Sequence, residues 1–480
     1  MAFYTHRWNL SRAIFSAALA ASCGTLWCEA STRADDGYYT SSNPGVQASA
    51  DGDSVPGIAT PEATQPASES TVSNESDSNC DVACDEYLAH CGTGDSWWDG
   101  GETNFRRNLK ESGITFDNNL TSFYYGVAGG GETQEFRYAG HGDYLMNADL
   151  MKMGGPPGLF LKIRAEHRMG ESIGEPAGSL LPPVLASDLP TPETRDLYLT
   201  NVLFTQAFSE NFAVFAGKLD TLDGDLNAFA SGRGITQFSN SAFVITPIGL
   251  RTIAYSTLGT GFVVLDEGEP VFTFLVLNAR ESVRNSGFDE LFADGVVLSP
   301  ELRIATDFFQ MPGHQLFGGT WSSRNYVALD QDPRILLPNV PIDRADDSWS
   351  LYWNMDQYLV VDPCNPKRGW GVFARAGIAD PATNPIANFL SAGFGGNSRV
   401  FGRDADTFGI GWFYAGTSND LSPALATALG GVGNSQGGEI FHNFAVNSRL
   451  SITWDGQVLL PARESIDYTL VTGVRANLRF

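Results

Sequence analysis

The chain has 480 residues, among them 52 glycines, 31 phenylalanines, 15 tyrosines and 10 tryptophans, and a formal net charge of −25. That charge excludes a basic nucleic-acid-binding face, and glycine with aromatics favours twisted strands and tight turns over helices. Only five of the 30 basic residues are lysine, and no long Ala/Glu/Lys/Leu run marks a helical protein.

Residues 1–34 have the layout of a secretory signal. Arg7 and Arg12 form a basic start, and Ala13 to Trp27 is an apolar stretch too short for a comfortable membrane span. Small residues near Ala30 and Ala34 offer cleavage positions. Cys23 follows Ala-Ala-Ser, a partial lipoprotein box with Ala20 where leucine is usual. A buried N-terminal helix is the structural alternative.

Residues 35–99 are rich in Ser, Thr, Pro, Asp, Glu and Ala. From Asp35 to Asp99 there are 13 acidic residues and no Lys or Arg, so this segment supplies −13 of the −25. It has too little apolar surface to offset the entropy of ordering and is expected to be a disordered acidic tether. Cys80, Cys84 and Cys91 cluster in it, with Cys364 far away. Export exposes them to an oxidising compartment, which permits disulfides. A metal site is the sharper alternative, but no Cys or His pair at zinc spacing completes it, and His90 stands alone.

Residues 100–480 are expected to form one unit, with a short helix over 100–113 and strands over 114–480. Thr103 to Ser112 (TNFRRNLKES) reads as the helix, stopped by Gly113, with Phe105 and Leu109 on a docking face. Period 2 then takes over. Ile114, Phe116, Leu120 and Tyr124 oppose Thr115, Asp117, Asn119 and Thr121. Leu159, Leu161, Ile163 and Ala165 oppose Lys162, Arg164, Glu166 and Arg168. Trp349, Leu351, Trp353, Met355, Leu359 and Val361 oppose Ser350, Tyr352, Asn354, Asp356 and Tyr358. Phe408, Ile410, Trp412 and Tyr414 share a face, and Val474, Ala476, Leu478 and Phe480 oppose Arg475, Asn477 and Arg479.

Several of these runs extend about nine to twelve residues, the length of a tilted membrane strand (~9–11) rather than a soluble one (~5–6). No run after the signal approaches the ~18 apolar residues of a membrane helix. Lipid outside and water inside account for apolar faces backed by clustered charges. The last residue, Phe480, falls on the outward parity of a strand, as suits a barrel that closes with no free edge. The expected fold is therefore all-β: a transmembrane antiparallel β-barrel of about sixteen strands, preceded by the short helix. The largest polar insertions, 170–195 and 323–347, are loops, one of which could fold into the pore.

Catalytic signatures are lacking: no G-x-S-x-G, H-E-x-x-H, Walker A or CxxC occurs, and DTLDGDLN (220–227) lacks calcium-loop spacing. His141, Asp143 and Ser122 can be drawn as a hydrolase triplet, but such triplets arise by chance among many polar strand residues. The chain is read as no enzyme, with no cofactor and no metal.

Three stretches resemble the carbohydrate-selective outer-membrane porins of the OprB type, over about residues 100 to 480. NFRRNLKESGITFDNNLTSFYYG (104–126) is similar to the family's opening helix and first strand. FAVFAGKLDTLDGDLNAFASGRGITQFSNSAF (212–243) is similar to its Gly-Lys-x-Asp strand end and the loop closing on Asn-Ser-Ala-Phe. The segment 441–480 resembles its closing hairpin and terminal strand. VITPIGLRT, after Phe243, departs from the family's Pro-rich pattern there, and the acidic tether with its cysteines lies outside it. The resemblance implies a sixteen-stranded barrel with a sugar-permeable channel in the bacterial outer membrane.

A sugar channel needs hydrogen-bonding groups and only weak, multi-site binding, because a tight site blocks flow. The pore-lining candidates are Lys162, Arg164, Glu166, Arg168, Lys218, Tyr352, Asp356, Tyr358 and Arg475, with the first four forming a ladder for permeating sugar. Their plainer role is to hydrate the wall. Expected partners are small sugars as solutes, outer-membrane lipid, the barrel-assembly machinery through the C-terminal strand, and further copies of the chain in a homo-oligomer. A general diffusion porin, a non-conducting barrel serving as anchor or adhesin, and a soluble β-sandwich are the rival readings.

Overall fold

The computed structural model describes residues 104–480, except 225, 333, 335–338, 363–364, 398–402 and 429. The signal, the tether and all six cysteines fall outside the described residues. The chain opens with α1 (Asn104–Glu111), which leads through Gly113 at φ +94° into the first strand. Phe105 on this helix is 71% exposed while Leu109 is half-buried, so only half of the expected docking face is covered. Arg106 instead donates to the Phe116 carbonyl.

Sixteen strands form one closed antiparallel ring. They are β1 (Ile114–Gly130), β2 (Phe136–Asp149), β3 (Leu159–Gly170), β4 (Tyr198–Ser209), β5 (Phe212–Asp220), β6 (Ser256–Asp266), β7 (Glu269–Asn278) and β8 (Val296–Phe308). The second half comprises β9 (Met311–Ser322), β10 (Ser348–Asp362), β11 (Asn365–Ala379), β12 (Ile386–Asn397), β13 (Thr407–Thr417), β14 (Ser435–Ala445), β15 (Leu450–Leu460) and β16 (Thr469–Arg479). Each strand pairs with its neighbour in sequence, and β16 returns to pair with β1, with Leu478 opposite Leu120 and Val474 opposite Tyr124. The Phe480 N–H donates to the Asn118 carbonyl at 3.0 Å, extending that seam by one bond.

The two ends of the ring differ. At one end β4–β5, β6–β7 and β8–β9 are joined by two residues each. The β6–β7 turn places Glu267 and Gly268 at φ +50° and +82°, the left-handed pair whose twist matches a hairpin. At the other end lie the long connections 171–197, 221–255, 279–295, 323–347 and 418–434. Short turns on one side and long loops on the other are the arrangement of outer-membrane barrels, turns toward the periplasm and loops toward the exterior.

The outer wall is apolar. Phe204, Phe317, Leu351, Ile410, Ile440, Trp454 and Val474 are all exposed on it. Among the described residues no helix is long and apolar enough to cross a membrane. The strands do the crossing, and closure of the ring leaves no open sheet edge.

The interior is not simply polar. The loop 221–255 folds into the barrel and carries Phe229, Phe238, Phe243, Ile245 and Ile248 against inward residues of β1 and β11–β16, among them Tyr125, Phe373, Phe413 and Phe441. Phe238 lies 4.9 Å from Phe441 and 5.3 Å from Phe373, both edge-on. The loop 171–197 packs on top, with Leu185 N–H donating to Ser239 O and Ser241 N–H to Pro182 O. Glycines on the facing strands make room. A Cβ on Gly409 would come within 2.7 Å of the Phe238 ring, and one on Gly411 within 2.6 Å of Phe243.

Candidate functional site

The constriction is set by how the inserted loop is held. On β2 and β3, alternation turns His141, Asp143, Lys162, Arg164 and Glu166 inward, and all are buried. The loop brings Asp223, Arg233 and Tyr255 to meet them, beside Asp220 at the end of β5. Arg233 bonds Glu166 at 2.6 Å and Asp220 at 2.9 Å. Arg164 bonds Asp143 at 3.0 Å and Asp220 at 2.6 Å, and also reaches Asp223. Lys162 pairs with Asp223, Tyr255 donates to Glu166, and His141 Nε2 lies 3.2 Å from Glu166. Outside the strands, the dominant effect of burial on Arg233 is to disfavour its charge, but the surrounding carboxylates outweigh it and hold the guanidinium well above its ordinary value. Burial raises the Tyr255 hydroxyl well above its ordinary value, and the carboxylates add to this. The cluster is a charge-paired clamp in which three cations meet four carboxylates and each buried charge faces an opposite partner.

The far side of the loop is held by different chemistry. Arg375 on β11 donates to the carbonyls of Phe243 and Ala230. Arg475 on β16 donates to Gly234 O and Gln237 O, both at 2.6 Å. Glu439 on β14 accepts from the backbone N–H groups of Ser239 (2.5 Å) and Asn240 (2.9 Å). Wall arginines thus satisfy loop carbonyls and a wall carboxylate satisfies loop amides, which a segment with so little secondary structure of its own requires.

The expected site residues fall into several groups. Lys162, Arg164 and Glu166 do come together inward, but as members of the clamp; a free ladder for sugar is not what they form. Arg168 is also inward and donates to Pro192 O of the upper loop. Arg475 is fully buried under the inserted loop. Asp356 lies inward, 2.9 Å from His314 Nδ1, and Tyr358 packs edge-on against Phe229 at 4.7 Å. Tyr352 lines the open part of the lumen and donates to Glu301 at 2.7 Å.

Lys218 corrects the sequence reading. It pairs across the ladder with Val202, which pairs with lipid-facing Ile163, so its side chain leaves the barrel on the outer face. There the loop 279–295 covers it, and Nζ donates to the carbonyls of Ser282 (2.6 Å) and Asn285 (3.0 Å). The hydrolase triplet is also taken apart. Ser122 sits on the outward parity with its Oγ 3.4 Å from Tyr138 OH, whereas His141 and Asp143 point into the lumen.

Sequence reasoning missed Asp220, Asp223 and Arg233 as partners of β3, although all three lie in the stretch 212–243 that carried the resemblance. It also missed Glu301 and Arg303, which stand on β8 with inward Val297 and Ser299. These two line a cavity of about 170 Å³ beneath the inserted loop, together with Tyr352 and Asn354.

Comparison with known proteins agrees with this architecture. A structure of Pseudomonas putida OprB at high pH superposes with a TM-score of 0.67 at 17% identity, covering 78% of this chain and 96% of that one. Its low-pH counterpart gives 0.50 at 14% identity, covering 81% and 97%. These likenesses bear on the fold alone. No curated protein matches the sequence. The sequence profile of the carbohydrate-selective porin, OprB family, matches residues 133–480. With that match spanning most of the sequence and a closed sixteen-stranded ring that superposes on OprB, the chain belongs to the OprB family of carbohydrate-selective porins of the outer membrane.

Proposed function

We propose that this porin passes small neutral sugars by diffusion through the gap between the inserted loop and the wall of β4–β10. The observation that carries the reading is the placement of the loop. It is clamped to β2–β3 on one side and docked on β11–β16 on the other, so the space left for a solute is the cavity bordered by Asp223, Glu301, Arg303, Tyr352 and Asn354. These groups offer hydroxyls both donors and acceptors, and no one of them encloses a solute, as flow requires. Tyr352, together with Glu301 and Arg303, takes the selecting role first assigned to the β3 ladder.

The test is a planar bilayer holding the purified chain, with ion current recorded before and after adding glucose or maltose. Partial block at millimolar sugar is expected. A current untouched at hundreds of millimolar assigns the chain to general diffusion instead, and no current at all assigns it to anchoring or adhesion.

The remaining parts follow the same reading. Residues 1–34 direct export and are removed, and 35–99 form an acidic tether outside the pore. The lipid-facing wall meets outer-membrane lipid, the C-terminal strand engages the assembly machinery, and the barrels associate as homo-oligomers. Deleting 35–95 while keeping the signal should leave conductance and heat-modifiable gel mobility as they were; loss of either makes the tether structural.

A further inference from the structure

We infer that the gap beneath the inserted loop is a binding station for sugars that carry an apolar substituent, aryl glycosides in particular. The inference rests on the reading of the chain as a sugar-passing channel and names the substrate class of that same site.

The inward face of a diffusion channel meets water and is expected to be polar. Here one sector breaks that rule. On β4–β9 the inward positions are Leu203, Phe215, Val263, Leu275, Val297 and Leu316, one from each strand. They cannot be lipid-facing, because their neighbours Phe204, Val264, Leu302 and Phe317 are the exposed ones. Most of this row is buried in a cluster of its own against which Ile253 of the loop packs, and Leu275 is its half-buried member. Leu250 and Ile253 close the cavity from the loop side, and Leu203, Phe215, Leu275 and Leu316 form its wall. Glu301, Arg303 and Tyr352 stand at the same cavity, so an apolar surface and hydroxyl-binding groups face one solute.

The make-up of the sector selects among sugars. A bare pyranose uses its apolar face against an exposed aromatic ring, yet the one ring in this row, Phe215, is 2% exposed. Leu203 and Leu316 are nearly as buried as the ring, and what remains accessible at the cavity is the half-buried aliphatic set Leu226, Ile253, Val271 and Leu275, which suits an inserted group. The cavity's 170 Å³ is close to the ~150 Å³ of an apolar cavity that accepts one benzene ring. A phenyl aglycone therefore fits the apolar sector while its sugar meets the polar side.

The experiment uses the full chain in a planar bilayer with three probes: methyl β-D-glucopyranoside, phenyl β-D-glucopyranoside and phenol. Phenyl glucoside should half-block the current at about a tenth of the methyl glucoside concentration, a difference of about 1.4 kcal/mol. Phenol at the same concentration should block much less, because it lacks the hydroxyls. Leu275→Asn and Leu316→Asn should collapse the ratio between the two glucosides toward one. The comparison of probes on the unaltered protein stands even where a variant fails to fold. Equal half-blocking concentrations overturn this inference and leave the sugar channel standing. Phenol blocking as well as phenyl glucoside also overturns it, assigning the sector to aromatics at large. Block by neither glucoside, with ion current flowing, overturns it together with the proposed function.

Discussion

Arg233 of the inserted loop and Glu166 of β3 lie 2.6 Å apart with both side chains almost wholly out of water, and the same guanidinium reaches Asp220 at the end of β5 at equally little exposure. The pair ties the position of the constriction to two residues 67 positions apart in sequence. Removing one partner leaves the other charge buried, so Arg233→Ala should cost ~3–5 kcal/mol of loop attachment. The barrel hydrogen bonds are untouched. Conductance should rise and protease should cut within 221–255, while the heat-modifiable band persists. An unchanged conductance would mean the far-side docking holds the loop by itself.

That docking depends on absent side chains. At Gly411 an added Cβ would reach within 2.6 Å of Phe243, and a larger group has nowhere to go. Gly411→Leu should push the loop off β13, cost ~1–3 kcal/mol as overpacking does, and widen the pore. Gly433 in the loop 418–434, with no atom nearer than 3.8 Å to an added Cβ and no left-handed φ, is the control.

The two faces of the wall should differ sharply in tolerance. Ile440, central in β14 and 45% exposed, faces lipid. Ile440→Arg should cost ~2–4 kcal/mol at the bilayer midplane, whereas Thr273→Arg on the inward face of β7 should leave unfolding in detergent or bilayer close to wild type. Equal cost at both positions would contradict the assigned sides.

Asp188, in the loop 171–197, supplies a pH dependence. Burial pushes its carboxyl up to about 6, while Ser172 and Arg168 pull the other way. A carboxyl raised in the folded state holds its proton there while the unfolded chain releases it. Folding is therefore least opposed at low pH, and stability falls as pH rises from about 4 to about 6. At about 1.4 kcal/mol per unit, the loss amounts to roughly 3 kcal/mol at neutral pH. Asp188→Asn should stabilise the protein at pH 7 by an amount that shrinks toward zero near pH 4, read as the wild-type-to-variant difference in detergent unfolding. A difference independent of pH would remove the assignment.

The barrel was legible wherever the two faces differ in chemistry. In β3, Ile163 against Arg164 states inside and outside directly, and in β16 Val474 against Arg475 does the same. In β5 it does not. Phe212, Val214 and Ala216 face lipid, but Ala213, Phe215 and Leu219 face the lumen, so both faces are apolar and there is no alternation to read. Lys218, the one charge on that strand before its end, reads as pore-lining although it shares the outward parity of Phe212, Val214 and Ala216. Near the exterior end, carbonyls of the loop 279–295 replace water around it, a solution that lies 64 or more positions away in the sequence. The clamp was hidden for a similar reason. Lys162, Arg164 and Glu166 look like solvated wall charges until Asp223 and Arg233 arrive from a stretch with no periodicity.

The seam between β1 and β16 gives the molecule a different kind of constraint. Thr121 and Asn477, hydrogen-bonded across it at 2.9 Å, are 356 positions apart, so this ladder can form only after nearly everything between them has taken its place. Contacts so distant along the chain make folding slow. They also make the seam a checksum on the whole ring: a single-residue slip in any strand inverts inside and outside from that point on, and the error arrives at the closing ladder as Arg475 facing lipid and Val474 facing water. A chain that has miscounted cannot close.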